Sequence, residues 1–201
     1  NAVASMEING AMESVQTQSS ELSVNTGLPE QTSLTIAASL LNPEASSIGT
    51  VSIITAWLAD SFNKPVPDGT TVNFTTEGGF IQPSCTTTAG NCSVEWTAVE
   101  PYLADHRSTI LVTAVGHETF FDSNGNNIFD DEDGSAITNK WVDAGWTRQS
   151  PQASGFVDMQ EAWRDDNANG EKDANEVIFF DDDLSGSHSE ADGNFNGPQC
   201  Q

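Results

Sequence analysis

From Ser93 to Ala98 the apolar residues fall on every second position: Val94, Trp96 and Ala98 alternate with Ser93, Glu95 and Thr97. A period of two belongs to a strand with one face buried and the other in water. Four further runs, SLTIAASLL (33–41), TVSIITAWLA (50–59), TTVNFTT (70–76) and STILVTAVG (108–116), carry the Val, Ile, Thr and aromatic residues that suit a pleated surface. Between runs stand Pro67-Asp68-Gly69, Gly78-Gly79 and Ala89-Gly90-Asn91, all with turn chemistry. Short strands at this spacing, with no helical period between them, predict an all-β sandwich. Trp57, Phe74, Ile81, Trp96, Ile110 and Val112 are its candidate core.

Length and composition bound the rest. The 201 residues, 36% of them hydrophobic, hold one ordinary domain plus an appendage, or two small domains. Residues 31–59 contain a single acid, Glu44, whereas from Glu118 onward nearly every short segment carries carboxylates. This shift predicts a lead-in segment over 1–29, a sandwich over 30–117 and an acidic extension over 118–201. The closing NGPQCQ reads as a cut inside a motif, so the extension is expected to continue in a longer protein.

Asp and Glu number 30 against 6 Lys and Arg, a formal net charge of −24. Such a surface repels nucleic acid and anionic lipid and attracts divalent cations. No apolar run approaches the roughly 20 residues of a membrane span, so no membrane contact by this segment is expected. Cys85 and Cys92 bracket TTTAGN. Six intervening residues suit a disulfide across a hairpin, which would imply an oxidising compartment; two reduced thiols are the alternative. Cys200 has no third partner in the chain.

The stretch AWLADSFNKPVPDGTTVNFTTEGGFI (56–81), followed by CTTTAGNCSVEWTA, resembles the bacterial immunoglobulin-like group 1 domain of invasin and intimin type surface proteins. The matching turn residues are Asp60, Pro65, Val66, Pro67, Asp68, Gly69 and Thr70. Pro65 and Pro67 stiffen the corner, Gly69 allows the φ that the next strand needs, and Asp68 can accept from nearby amides. The resemblance covers about residues 30–117. It implies an immunoglobulin-like Greek-key sandwich in a cell-surface or secreted array, with neighbouring repeats of the same chain as partners. The chain as a whole also resembles multi-repeat surface proteins of marine-type gammaproteobacteria, in which a D-G-x-x-N-G-x-x-C run follows; Asp192, Gly193, Asn196, Gly197 and Cys200 fit it.

The acidic stretches have a common count. Calcium takes six to eight oxygens, and a twelve-residue loop supplies them from positions 1, 3, 5, 7 through its carbonyl, 9 and 12. From Asp122 the series is Asp122, Asn124, Asn126, the Ile128 carbonyl, Asp130 and Asp133, with Asn127 at position 6. From Asp165 it is Asp165, Asn167, Asn169, the Glu171 carbonyl, Asp173 and Glu176, with Gly170 at position 6. A weaker register runs through Asp181, Asp183, Ser185, the Ser187 carbonyl, Ser189 and Asp192, and a fourth starting at Asp192 runs off the chain. Only VIFF separates Glu176 from Asp181, which leaves no room for EF-hand helices; the loops resemble dockerin-related and thrombospondin-type calcium repeats set in irregular structure. ETFFDSNGN (118–126) and EAWRDDNAN (161–169) share the pattern E-x-aromatic-x-D-x-N-x-N. Glu118 and Glu161 are therefore candidate extra ligands. His106, His117 and His188 have no zinc spacing with the cysteines.

The functional expectation is a non-catalytic immunoglobulin-like module of an adhesin-like protein, extracellular or at the bacterial surface, whose calcium loops stiffen the tail. The alternative is a carbohydrate or receptor binding module using exposed Trp141, Trp146 and Trp163. No nucleophile-base constellation argues for an enzyme.

Overall fold

The computed structural model describes residues 27–43, 48–126, 128–137, 154–181 and 183–197, and the backbone of 2–8 and 11–17. The chain is all-β. Twelve strands are formed among the described residues, and no α-helix, so no helix there crosses a membrane. The strands β1 (Ala2–Ile8) and β2 (Ala11–Thr17) make an antiparallel pair meeting at Ile8↔Ala11. The two intervening residues are Asn9 and Gly10, the pair most favoured between hairpin strands.

The sandwich is built from β3 (Leu34–Ala38), β4 (Val51–Leu58), β5 (Thr71–Thr76), β6 (Phe80–Ile81), β7 (Ser84–Thr86), β8 (Asn91–Thr97) and β9 (Ile110–Thr113). One sheet has the order β3-β4-β8-β6 and the other β7-β5-β9, with every neighbour antiparallel. Alternation decides what lies between them. Ile54, Ala56 and Leu58 of β4, Val94 and Trp96 of β8, and Val72 and Phe74 of β5 are buried in one cluster, which Ile81 joins and against which Ile110 and Val112 pack. Trp57 is the exception among the expected core residues, at 44% exposed. Its neighbours Ala56 and Leu58 point inward, so the pleat turns Trp57 outward, opposite Thr35 and Asn91.

Two features close the sandwich edge near β6. The segment 80–86 begins paired to β8 and ends paired to β5, so it crosses from sheet to sheet. The Cys85–Cys92 disulfide joins β7 to β8 and therefore bridges the two sheets; it is an inter-sheet clip beside a turn. Trp96 is held in place by Nε1–H bonds to the Gly78 carbonyl (2.8 Å) and Thr76 Oγ1 (3.2 Å). Gly79, at φ +78°, lies against the indole so closely that a Cβ would stand 2.6 Å from it.

The turns at 60–70 are held by their two aspartates. Asp60 is fully buried and accepts from the amides of Phe62 and Lys64 (both 2.9 Å). Asp68 accepts from Ala89 across the gap to the neighbouring turn (2.7 Å), and Gly69 has φ +88°.

At the opposite edge the first and last segments of the sandwich meet. Glu30 and His117 form a parallel bridge, with Gln31 N donating to His117 O (3.1 Å) and His117 N to Pro29 O (3.0 Å). Beyond it lies a small sheet of β10 (Phe120–Phe121), β11 (Ala136–Ile137) and β12 (Gly155–Val157) in the order β10-β12-β11. A second apolar cluster forms there. Phe195 is within 4.4–5.7 Å, centroid to centroid, of Phe129, Phe120 and Phe156, and His117 borders the group.

Candidate metal-binding loops

The Asp122 and Asp165 loops repeat one hydrogen-bond scheme. In the first, the closing Asp133 is fully buried, and its oxygens accept the amides of Ser123 (2.7 Å) and Asp130 (3.0 Å). In the second, Glu176, 1% exposed, accepts those of Asp166 (2.9 Å) and Asp173 (3.0 Å). These amides are positions 2 and 9 of each loop. The opening residues do the same from the other end: Asp122 accepts from Gly125 (2.7 Å) and Asn126 (3.1 Å), Asp165 from Asn169 (3.1 Å) and Gly170 (2.7 Å).

The asparagines bind along the loop and across it. Asn124 and Asn167 each accept from the amide two residues on (3.0 Å in both), and so do Asn126 and Asn169 from Ile128 (2.8 Å) and Glu171 (2.7 Å). Their side-chain amides converge on the position 9 carboxylate: Asn124 and Asn126 on Asp130 (3.0 and 2.8 Å), Asn167 and Asn169 on Asp173 (2.6 and 2.9 Å). Such Asx turns are what short polar side chains do to a backbone that has no ladder to join. The Glu132 amide, then Asn126 and Asn124, hold the Asp130 carboxyl below the usual aspartate range. These bonds tie the side chains of ten expected ligands, five in each loop, into its turns. Asn127 lies outside the described residues.

The third register divides. Asp181 accepts from Gly186 (3.0 Å), Asp183 from Ser185 (2.8 Å) and from the Ser189 hydroxyl (2.9 Å), and Ser185 Oγ accepts from the Ser187 amide (3.3 Å). Asp192 is turned to Asn194, accepting its backbone amide (2.8 Å) and side-chain amide (3.0 Å). One ligand atom each of Glu161, Asp181 and Asp183 lies within 4.8 Å of the others. Glu161, the candidate extra ligand from the E-x-aromatic-x-D repeat, thus stands with the acids of the loop that begins at Asp181.

Glu118, the matching residue of the first repeat, is also buried and accepts from Met159 (2.8 Å) and Asn196 (2.9 Å). Burial pushes its carboxyl upward, with Asp158 and Asp192 adding to the effect and the two amides opposing it.

The loops are docked on the sandwich. Arg164 grips Asp166 with two nitrogens (2.5 and 3.0 Å) and donates its third to the Thr76 carbonyl at the end of β5 (2.7 Å), while Thr109 Oγ1 bonds the Asp165 carbonyl (3.1 Å). At the far end Glu30 accepts from Thr119, Thr32 and Ser33. Burial pushes its carboxyl up, but these bonds together outweigh it and hold it below the ordinary value. Trp163 is half-buried edge-on to His188, which Phe179 also meets edge-on. Trp141, Trp146 and Cys200 lie outside the described residues. No protein-family model, curated protein or solved structure matches the chain.

Proposed function

We propose that the chain is a non-catalytic, immunoglobulin-like module of a bacterial cell-surface or secreted adhesin-like protein, whose acidic loops bind calcium and so rigidify the extension against the sandwich. The observation that carries the calcium reading is the shared scheme of the Asp122 and Asp165 loops. Two twelve-residue segments fold around the same positions, each closed by a buried carboxylate at position 12. The carboxylate and amide oxygens of Asp, Asn and Glu, with the carbonyl expected at position 7, suit a hard cation needing six or more ligands.

Five acids within each twelve-residue loop repel one another without a counter-ion; a divalent ion turns that repulsion into coordination energy, and only in the folded loop. Extracellular modules work with sites of about 10⁻⁴ to 10⁻³ M, so weak loops suffice outside a cell. The inter-sheet disulfide supports the same setting. The immunoglobulin-like and surface-protein part of the proposal rests on the 56–98 turn and strand motifs. Calorimetric titration of the chelated chain with calcium, beside melting with and without the ion, tests the reading: two or more sites and a raised melting temperature are expected. No binding up to millimolar calcium would refute it.

A further inference from the structure

Glu161 belongs to none of the three twelve-residue registers, yet it closes the third of them. Its carboxylate accepts the Ser189 amide (2.9 Å), and its own amide donates to the Ser189 carbonyl (3.1 Å). Ser189 is position 9 of the Asp181 loop. In the other two loops that position's amide is taken by the buried carboxylate of position 12, Asp133 in one and Glu176 in the other. Glu161, only 7% exposed, thus fills the station expected of Asp192 from twenty residues upstream of the loop. The imidazole of His188, at position 8, seals the arrangement by a 2.9 Å bond to the Glu161 carbonyl.

An independent observation points to a ligand. Oδ1 of Asp181 is shut off from solvent and no hydrogen-bond donor reaches it. A carboxylate oxygen stripped of water without a partner carries an uncompensated desolvation cost, and a bound ion is one of the few ways a native fold removes it. Asp181 belongs to the trio whose ligand atoms converge within 4.8 Å.

We infer that Glu161, Asp181 and Asp183 hold a divalent cation, with Ser185, the Ser187 carbonyl and Ser189 completing an oxygen shell. The site joins two loops, because Glu161 heads the segment that opens the Asp165 loop while the other ligands come from the loop that follows. This inference rests on the calcium reading and replaces one of its ligands.

The test is the calcium stoichiometry of the full chain, measured by calorimetry after chelation, for the parent, Glu161→Gln, Asp181→Asn and Asp192→Asn. Glutamine keeps the size of Glu161 and an oxygen for the Ser189 amide, and Asp181→Asn leaves that bond untouched. Both variants are expected to bind one ion fewer than the parent, and Asp192→Asn the same number as the parent. A full complement in Asp181→Asn, or loss of an ion in Asp192→Asn alone, overturns the shared site while leaving the calcium reading intact. A parent that binds no calcium removes both. Should Glu161→Gln fail to fold, as judged by circular dichroism, Asp181→Asn read beside Asp192→Asn decides the matter: an ion lost in the first and kept in the second supports the shared site, and an ion lost in both overturns it.

Discussion

Between the sheets of the sandwich the buried cluster is apolar, with Ala56, Leu58, Val72, Phe74, Val94 and Trp96 filling the space, and the fully buried Asp60 belongs to the turn after β4. In the extension Phe156 and Phe195 are joined by Glu118, Asp133, Glu161 and Glu176, buried to a similar degree. Strands can hide their amides in ladders and need only apolar side chains between the sheets. The loops have almost no ladder, so the closing carboxylates go inward to meet the amides, while exposed asparagines take other amides from the outside. A buried carboxylate must be matched by donors or a cation, whereas an apolar core needs neither. The difference teaches where the two regions should be vulnerable: one to lost volume, the other to lost charge pairing.

The strongest way to break the comparison is to damage each core by its own rule. Trp96→Ala should cost about 3–5 kcal/mol in denaturant unfolding, by the same amount with calcium or chelator. Glu176→Ala strands two amides and should cost roughly 3 kcal/mol, read out in the extension as lost calcium binding and faster amide exchange around Asp166 and Asp173. Equal calcium dependence of the two variants would erase the distinction.

Replacing both Cys85 and Cys92 by serine should lower sandwich stability by about 2–3 kcal/mol, the value for so short a loop, while calcium titration of the loops stays unchanged. Acid sharpens the contrast at the seam. Glu30 is held below the ordinary glutamate value of 4.5, so its contribution is complete above that pH and lost as pH falls through its folded value. Glu30→Gln should therefore shrink the drop in urea midpoint between about pH 5 and about pH 3. The smallest effect belongs to Trp57→Ser. On an outward face it should shift the midpoint by about 0.5 kcal/mol or less, and a loss near that of Trp96 would mean the outer face of β4 is covered.

The strands were legible because a half-buried sheet writes its alternation into the chain; Val94, Trp96 and Ala98 declared themselves, and so did the turn at Pro67–Gly69. Trp57 misled because aromatic character was read without its phase: one position along from Leu58, it had to face out. The break of segment 80–86 between sheets escaped notice because runs of two and three residues carry no period. In the extension, the shared turn pattern of the Asp122 and Asp165 segments was legible since their hydrogen-bond partners lie within twelve residues. Glu161 and Ser189 are 28 residues apart, and nothing local in a chain records a pairing across that distance.

The parallel bridge between Glu30 and His117 has a mechanical meaning. A chain pulled by its two ends enters the sandwich at residue 30 and leaves at residue 117. Because these segments run side by side in the same direction, tension slides one along the other. Gln31 N to His117 O and His117 N to Pro29 O are then loaded together in shear, whereas an antiparallel pair pulled from its open end is unzipped one bond after another. At this bridge the two bonds would therefore have to break together, which resists a pull on the two ends more than the same bonds opened in turn.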